Sequence, residues 1–149
     1  MTDYSNILVP IDFSASAEQV INRALDIARR NNARLNLLHV VEYLPPIDIA
    51  YEPAAAAGWD VNDADMKAQA EKSLLRFCDH FGVPDSIQQV VIGTPKQEIS
   101  HYAEEHGCDL IVMGAHGRHG IGRLLGSTAN GVLHDMPCDV MAIKISDET

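Results

Sequence analysis

Cysteine is scarce in this 149-residue chain, and the three present, Cys78, Cys108 and Cys138, form no close pair and no C-x-x-C. That excludes a disulfide framework and a zinc knuckle, and points to reduced thiols. Positive charge is also short: 11 Lys plus Arg face 21 Asp plus Glu, a formal charge of -10. A field of that sign repels nucleic acid and anionic membrane, so neither nucleic-acid binding nor membrane insertion is expected. No apolar run approaches the roughly 20 residues needed to span a bilayer. At the N-terminus Asp3 stands where an export signal would be basic, and the apolar run stops at Pro10 and Asp12. The expectation is a cytoplasmic chain.

Aromatic residues are few at 5%, yet 46% of the chain is hydrophobic, enough for one globular core and too little for two. Residues 1–149 are therefore expected to form a single domain. A chain of this length buries about 70% of its unfolded surface and needs no metal or disulfide to fold.

Apolar patterning then sets the order of elements. Asn6 to Ile11 is a short continuous apolar run, as in a strand buried on both faces. Ala17, Val20, Ile21, Ala24, Leu25 and Ala28 follow with helical spacing. Ser16 with Gln19 can form a capping box, and Arg29 to Asn32 supply cations and a left-handed stop. Leu35 to Val41 is a second strand. Glu42 to Asp60, holding Pro45, Pro46, Pro53, Gly58 and four consecutive alanines, reads as one long loop, and a second helix is predicted over Asn62 to Phe81. Ser86 to Ile92 is a third strand. Thr94-Pro95-Lys96-Gln97 opens a helix expected to end at His106 with Gly107 as its cap. Asp109 to Gly114, a helix over Ser127 to His134 and a strand over Asp139 to Ile145 complete the chain. Such alternation implies an α/β fold, an open parallel sheet with helices on both faces. Ligands in such sheets sit outside the carboxyl ends of the strands, so function is sought in the loops after strands one, two and four.

The fourth strand runs into Gly114-Ala-His116-Gly117-Arg118-His119-Gly120-Ile-Gly122-Arg123-Leu-Leu-Gly126-Ser127-Thr128, with five glycines in thirteen residues. Between Leu110 and His134 there is no acid at all. Glycines that let backbone N–H groups approach a ligand, ending in Gly-Ser-Thr at a helix start, suit a phosphate cradle. A plain flexible loop is the competing reading. Neither G-x-G-x-x-G nor G-x-x-x-x-G-K-[ST] is present, which excludes the dinucleotide and P-loop fingerprints. The seven histidines show no H-E-x-x-H, and no G-x-S-x-G marks a hydrolytic serine.

Three pieces of the chain resemble the universal stress protein family: Ile7 to Ser14 (ILVPIDFS), Leu37 to Val41 (LLHVV), and Gly114-x2-Gly117-x8-Gly126-Ser127-Thr128 with Pro137 to Lys144. The resemblance covers nearly the whole chain. It implies an open five-stranded parallel sheet of order 3-2-1-4-5, of the Rossmann-like, adenine nucleotide α-hydrolase-like kind. It implies a homodimer through the last strand, residues 139–145, an unidentified signalling or transport partner and, in one subgroup, bound ATP. That subgroup has nine residues between its second and third glycines, and this chain has eight. Carried over residue by residue, the cofactor site comprises Pro10, Ile11, Asp12, Val40, Met113, Gly114, His116, Gly117, Arg118, Gly126, Ser127 and Thr128. The cofactor is ATP or AMP, with Mg2+ or Mn2+ held through the phosphates and no protein-ligated metal.

Alternatives accompany these residues. Asp12 either contacts ribose or adenine or caps the next helix. Val40 either meets adenine through its backbone or is plain core. His116 and Arg118 either touch phosphate or face solvent. At the level of function, a nucleotide-binding stress or signalling module stands first, without catalytic residues, since no general base is evident beside the cradle. A slow ATP hydrolase or phosphotransferase, or a dimeric interaction protein without nucleotide, are the alternatives.

Overall fold

The computed structural model describes residues 3–42, 53–83, 86–115 and 127–145. In chain order these form β1 (Asn6–Pro10), α1 (Ala17–Asn31), β2 (Arg34–Glu42), α2 (Pro53–Phe81), β3 (Ile87–Gly93), α3 (Pro95–Glu105), β4 (Leu110–Ala115), α4 (Ser127–Asp135) and β5 (Asp139–Lys144). All strands run parallel in the order β3-β2-β1-β4-β5. Central β1 pairs on both sides, with Ile7 opposite Leu35 of β2 and Leu110 of β4.

Alternation along the strands divides the core into two layers. Ile7 and Val9 of β1, Leu35 and Leu37 of β2, and Leu110 and Val112 of β4 face α1 and α2, meeting Val20, Ile21 and Leu74. Leu8, Leu38, Ile111 and Met113 point the other way, onto Ile99 and Tyr102 of α3 and Val132 of α4. Burial on both faces is why Ile7 to Val9 of β1 and Leu110 to Met113 of β4 read as unbroken apolar runs. Among the described residues no helix is long and apolar enough to cross a membrane.

One expectation needs correction. The long loop predicted from Glu42 to Asp60 is helix from Pro53 onward, so α2 begins nine residues before Asn62. Ala54 to Ala57 carry no apolar period to betray a helix. They are nonetheless the strongest helix formers, and Pro53 suits the first helical position. Ser16 and Thr94 sit at the helix starts without side-chain cap bonds of their own. Ser16 has helical backbone angles, and its hydroxyl lies 2.7 Å from that of Ser14.

Helix ends follow the prediction more closely. Asn32 closes α1 in the left-handed conformation at φ 53°, and Gly82 and Gly107 take φ 60° and 65° after α2 and α3. In each case the next amide reaches back five residues: Ala33 to Ala28, Val83 to Cys78 and Cys108 to Ala103.

These closures deliver the chain to the amino ends of the strands, where a polar network holds the sheet. Asn36 of β2 is 1% exposed; its amide donates to Asn6 Oδ1 (2.6 Å) and Ile7 O (3.0 Å), while its Oδ1 accepts from the Tyr102 hydroxyl (2.9 Å). Beside it Asp109 accepts from the Ser5 amide (2.8 Å), the Ser5 hydroxyl (3.0 Å) and the Asn6 amide (3.0 Å). Burial pulls the Asp109 carboxyl upward, but these three donors together outweigh it and hold the group below its ordinary range.

Candidate functional site

At the opposite, carboxyl end of the sheet lies a cavity of about 700 Å³, between the ends of β1, β2 and β4 and the first turns of α1, α3 and α4. The sheet's winding reverses here: β2 and β3 extend from one side of β1, and β4 and β5 from the other. The helices that follow β1 and β4, α1 and α4, pack on opposite faces of the sheet, and in such sheets a crevice opens at this point.

The turn after β1 is closely fixed. Ile11 donates its amide to Leu38 O at 2.8 Å, and its own carbonyl lies 2.6 Å from His39 Nδ1. Asp12 Oδ1 accepts from the Ser14 amide (3.0 Å) and hydroxyl (2.7 Å), an Asx-type turn that opens α1. Both readings of Asp12 are therefore compatible with the geometry: it orders the helix entry, and it lines the cavity while exposed to solvent. Between them Phe13 takes φ 59°. From β2 come Leu38, His39 and Val40; from β4 come Met113 and Gly114. A Cβ at Gly114 would stand 3.2 Å from Val20 Cγ2 and 3.3 Å from Ile145, so the absent side chain lets β4, α1 and the end of β5 approach closely.

Of the residues expected at the site, Pro10, Ile11, Asp12, Val40, Met113, Gly114 and Thr128 come together on this one cavity. Ser127 is the first residue of α4, directly before Thr128. His116, Gly117, Arg118 and Gly126 lie outside the described residues. Sequence reasoning missed the hydroxyls of Ser14 and Ser16, His39, and the α3 contribution of Pro95 and Ile99. Thr94-Pro95 was a readable signal, because a helix start after a parallel strand falls at the same end of the sheet as the other loops.

Among the described lining residues the charged ones are Asp12 and Glu42, both acids. No three His, Cys, Asp or Glu side chains among the described residues are grouped to hold a metal ion. The thiols are unsuited to nucleophilic work: burial pushes Cys108 and Cys138 up to about 11, and raises Cys78 as well. Cys138 instead packs against the α3–α4 layer, as its place before the last strand suggests.

Fold and cavity together define an open, parallel α/β protein with a ligand-sized crevice at its topological switch point. The sequence profile of the Universal stress protein family matches residues 3–144. Universal stress protein A homolog 1 of Coxiella burnetii is 39% identical over 145 residues, covering 97% of this chain and 99% of that protein. Homolog 2 from the same organism is 37% identical over 146 residues, covering 97% and 98%. Among solved structures, the universal stress protein UspA from Lactobacillus plantarum superposes with a TM-score of 0.70 at 34% identity, covering 96% of this chain and 99% of that one. A universal stress protein solved in complex with cAMP superposes at 0.63 with 28% identity, covering 97% and 100%. The chain belongs to the universal stress protein family.

Proposed function

We propose that this chain is an adenine-nucleotide-binding module, taking ATP or AMP in the cavity at the carboxyl ends of β1, β2 and β4, and acting in a cytoplasmic stress response or signalling. The observation that carries this reading is the convergence of Asp12, Val40, Met113, Gly114 and Thr128, from four separate elements, on one crevice. Its size falls within the roughly 300–1,000 Å³ usual for small-molecule sites. The relative solved with cAMP supports an adenine nucleotide as the ligand class.

In this reading the base and ribose lie near Val40 and Asp12. The phosphates lie toward Thr128, the α4 amino end and the Gly117–Gly126 stretch, with Arg118 neutralising charge that the acidic lining cannot. Mg2+ or Mn2+ is carried by the phosphates rather than by protein ligands. The module holds its nucleotide rather than turning it over quickly, at a rate far below the roughly 1 to 100 per second typical of kinases. It pairs with a second copy through β5.

Gly117→Val tests the cradle. A branched side chain where backbone must meet phosphate is expected to raise the ATP Kd in calorimetry at least about tenfold, with the circular dichroism of the fold unchanged. Unchanged affinity removes Gly117 and its loop from the site.

A further inference from the structure

His39 belongs to β2, one residue before Val40, and its side chain lies on the α1–α2 face with Leu37 and Val41 rather than on Val40's face. Two contacts tie it to the turn after β1. Its Nδ1 lies 2.6 Å from Ile11 O, and its ring stacks on Phe13 with centroids 4.4 Å apart, tilted 34°. A carbonyl oxygen only accepts, so Nδ1 carries the hydrogen and Nε2 is left as the bare nitrogen of neutral His39.

Phe13 sits at φ 59°, a region that costs a bulky residue free energy unless its surroundings hold it there. Two rings pack against it there: His39, and Phe77 of α2 at 6.4 Å between centroids and an interplanar angle of 61°. The left-handed step sends the phenyl ring into the α1–α2 layer while its neighbour Asp12 stays at the cavity. Ile11 and Phe13, the residues flanking Asp12, are thus both gripped by one imidazole.

We propose that His39 is the positioning residue of this site: through its Nδ1–H bond to Ile11 O and its stacking under Phe13 it fixes the turn that presents the Asp12 carboxylate to the ligand. Its binding arm rests on the nucleotide reading above; its structural arm does not. A side chain that only filled space could be replaced by Leu at no cost to the turn. One that donates a bond cannot, but Asn can stand in, because its Nδ2 occupies the place of His Nδ1.

The test combines NMR and calorimetry on the full chain. Long-range nitrogen–proton correlation should place the proton of neutral His39 on Nδ1. In His39→Leu the Ser14 amide, which donates to Asp12, should exchange at least about tenfold faster relative to the core amides of Leu8 and Ile111, and the ATP Kd should rise about tenfold. His39→Asn should keep both within about threefold of wild type. His39→Met, which carries no N–H or O–H donor, serves as a second donor-less variant should the Leu chain not fold. A proton on Nε2, unchanged Ser14 exchange in the donor-less variants, or an Asn variant as impaired as they are overturns the proposal. Wild-type protein that takes up no ATP overturns the nucleotide reading, and tautomer and exchange then decide His39's role by themselves.

Discussion

Replacing Asn36 by Ala is expected to destabilise the fold by about 3 kcal/mol, a large share of the 5–15 kcal/mol typical of a domain. Asn36 is 1% exposed and uses both ends of its amide. Alanine removes the donor to Ile7 O and Asn6 Oδ1, and leaves the hydroxyl of Tyr102, itself 4% exposed, with no acceptor there. An unsatisfied buried group costs about 1–3 kcal/mol, and the vacated volume adds to it. In a chain of this size that corresponds to a fall of roughly 6–12 °C in Tm. Tyr102→Phe alone should cost less, because it orphans only Asn36 Oδ1. The double variant should be less harmful than the sum of the two, since each single change already breaks the shared bond. Denaturant titration of the four proteins measures this, and strict additivity would show that the 2.9 Å contact carries no coupling.

Ala142→Pro is expected to turn a dimer into a folded monomer. β5 lies at one edge of the sheet, paired on one side with β4, Met113 opposite Ala142. The amide of Ile145 donates to Ala115 O at 3.4 Å, and amides along a strand alternate in direction. Ile143 and Met141 therefore point their N–H groups at β4, and Ala142 points its N–H outward along the open edge. Proline at 142 removes that outward donor and leaves the β4–β5 ladder intact, a setting in which an edge strand tolerates it. An open edge invites another strand, and a two-fold partner is the commonest way to close it. Sedimentation at tens of micromolar should find dimeric wild type and monomeric Ala142→Pro with the same far-ultraviolet spectrum. Wild type that sediments as monomer sets aside β5 pairing.

The parts of the fold that were legible share a physical cause. Ile7 to Val9, Leu35 to Leu38 and Leu110 to Met113 are buried on both faces, and only a sheet covered on both sides demands that of consecutive residues. The start of α2 was illegible because Pro53 to Val61 has helix-favouring composition without an apolar stripe. Asn36 was passed over because its role depends on Tyr102, 66 residues away, which no local pattern reveals.

Asp12, Val40, Met113, Gly114 and Thr128, which the family resemblance carried over, line one cavity because each stands at or just beyond a strand's carboxyl end or in a helix's first turn. His39 was not legible, although it lies in the same LLHVV stretch, because its contacts depend on the left-handed backbone of Phe13.

The most direct test is amide chemical-shift mapping of the full chain during titration with ATP. Saturable shifts concentrated at Asp12, Val40, Met113, Gly114, Thr128 and Ala129 are the predicted result, with the amino-end residues Ser5, Asn36 and Asp109 unmoved. Absence of saturable shifts, or shifts confined to the amino end around Ser5, Arg29 and Arg34, would contradict nucleotide binding at the carboxyl-end cavity.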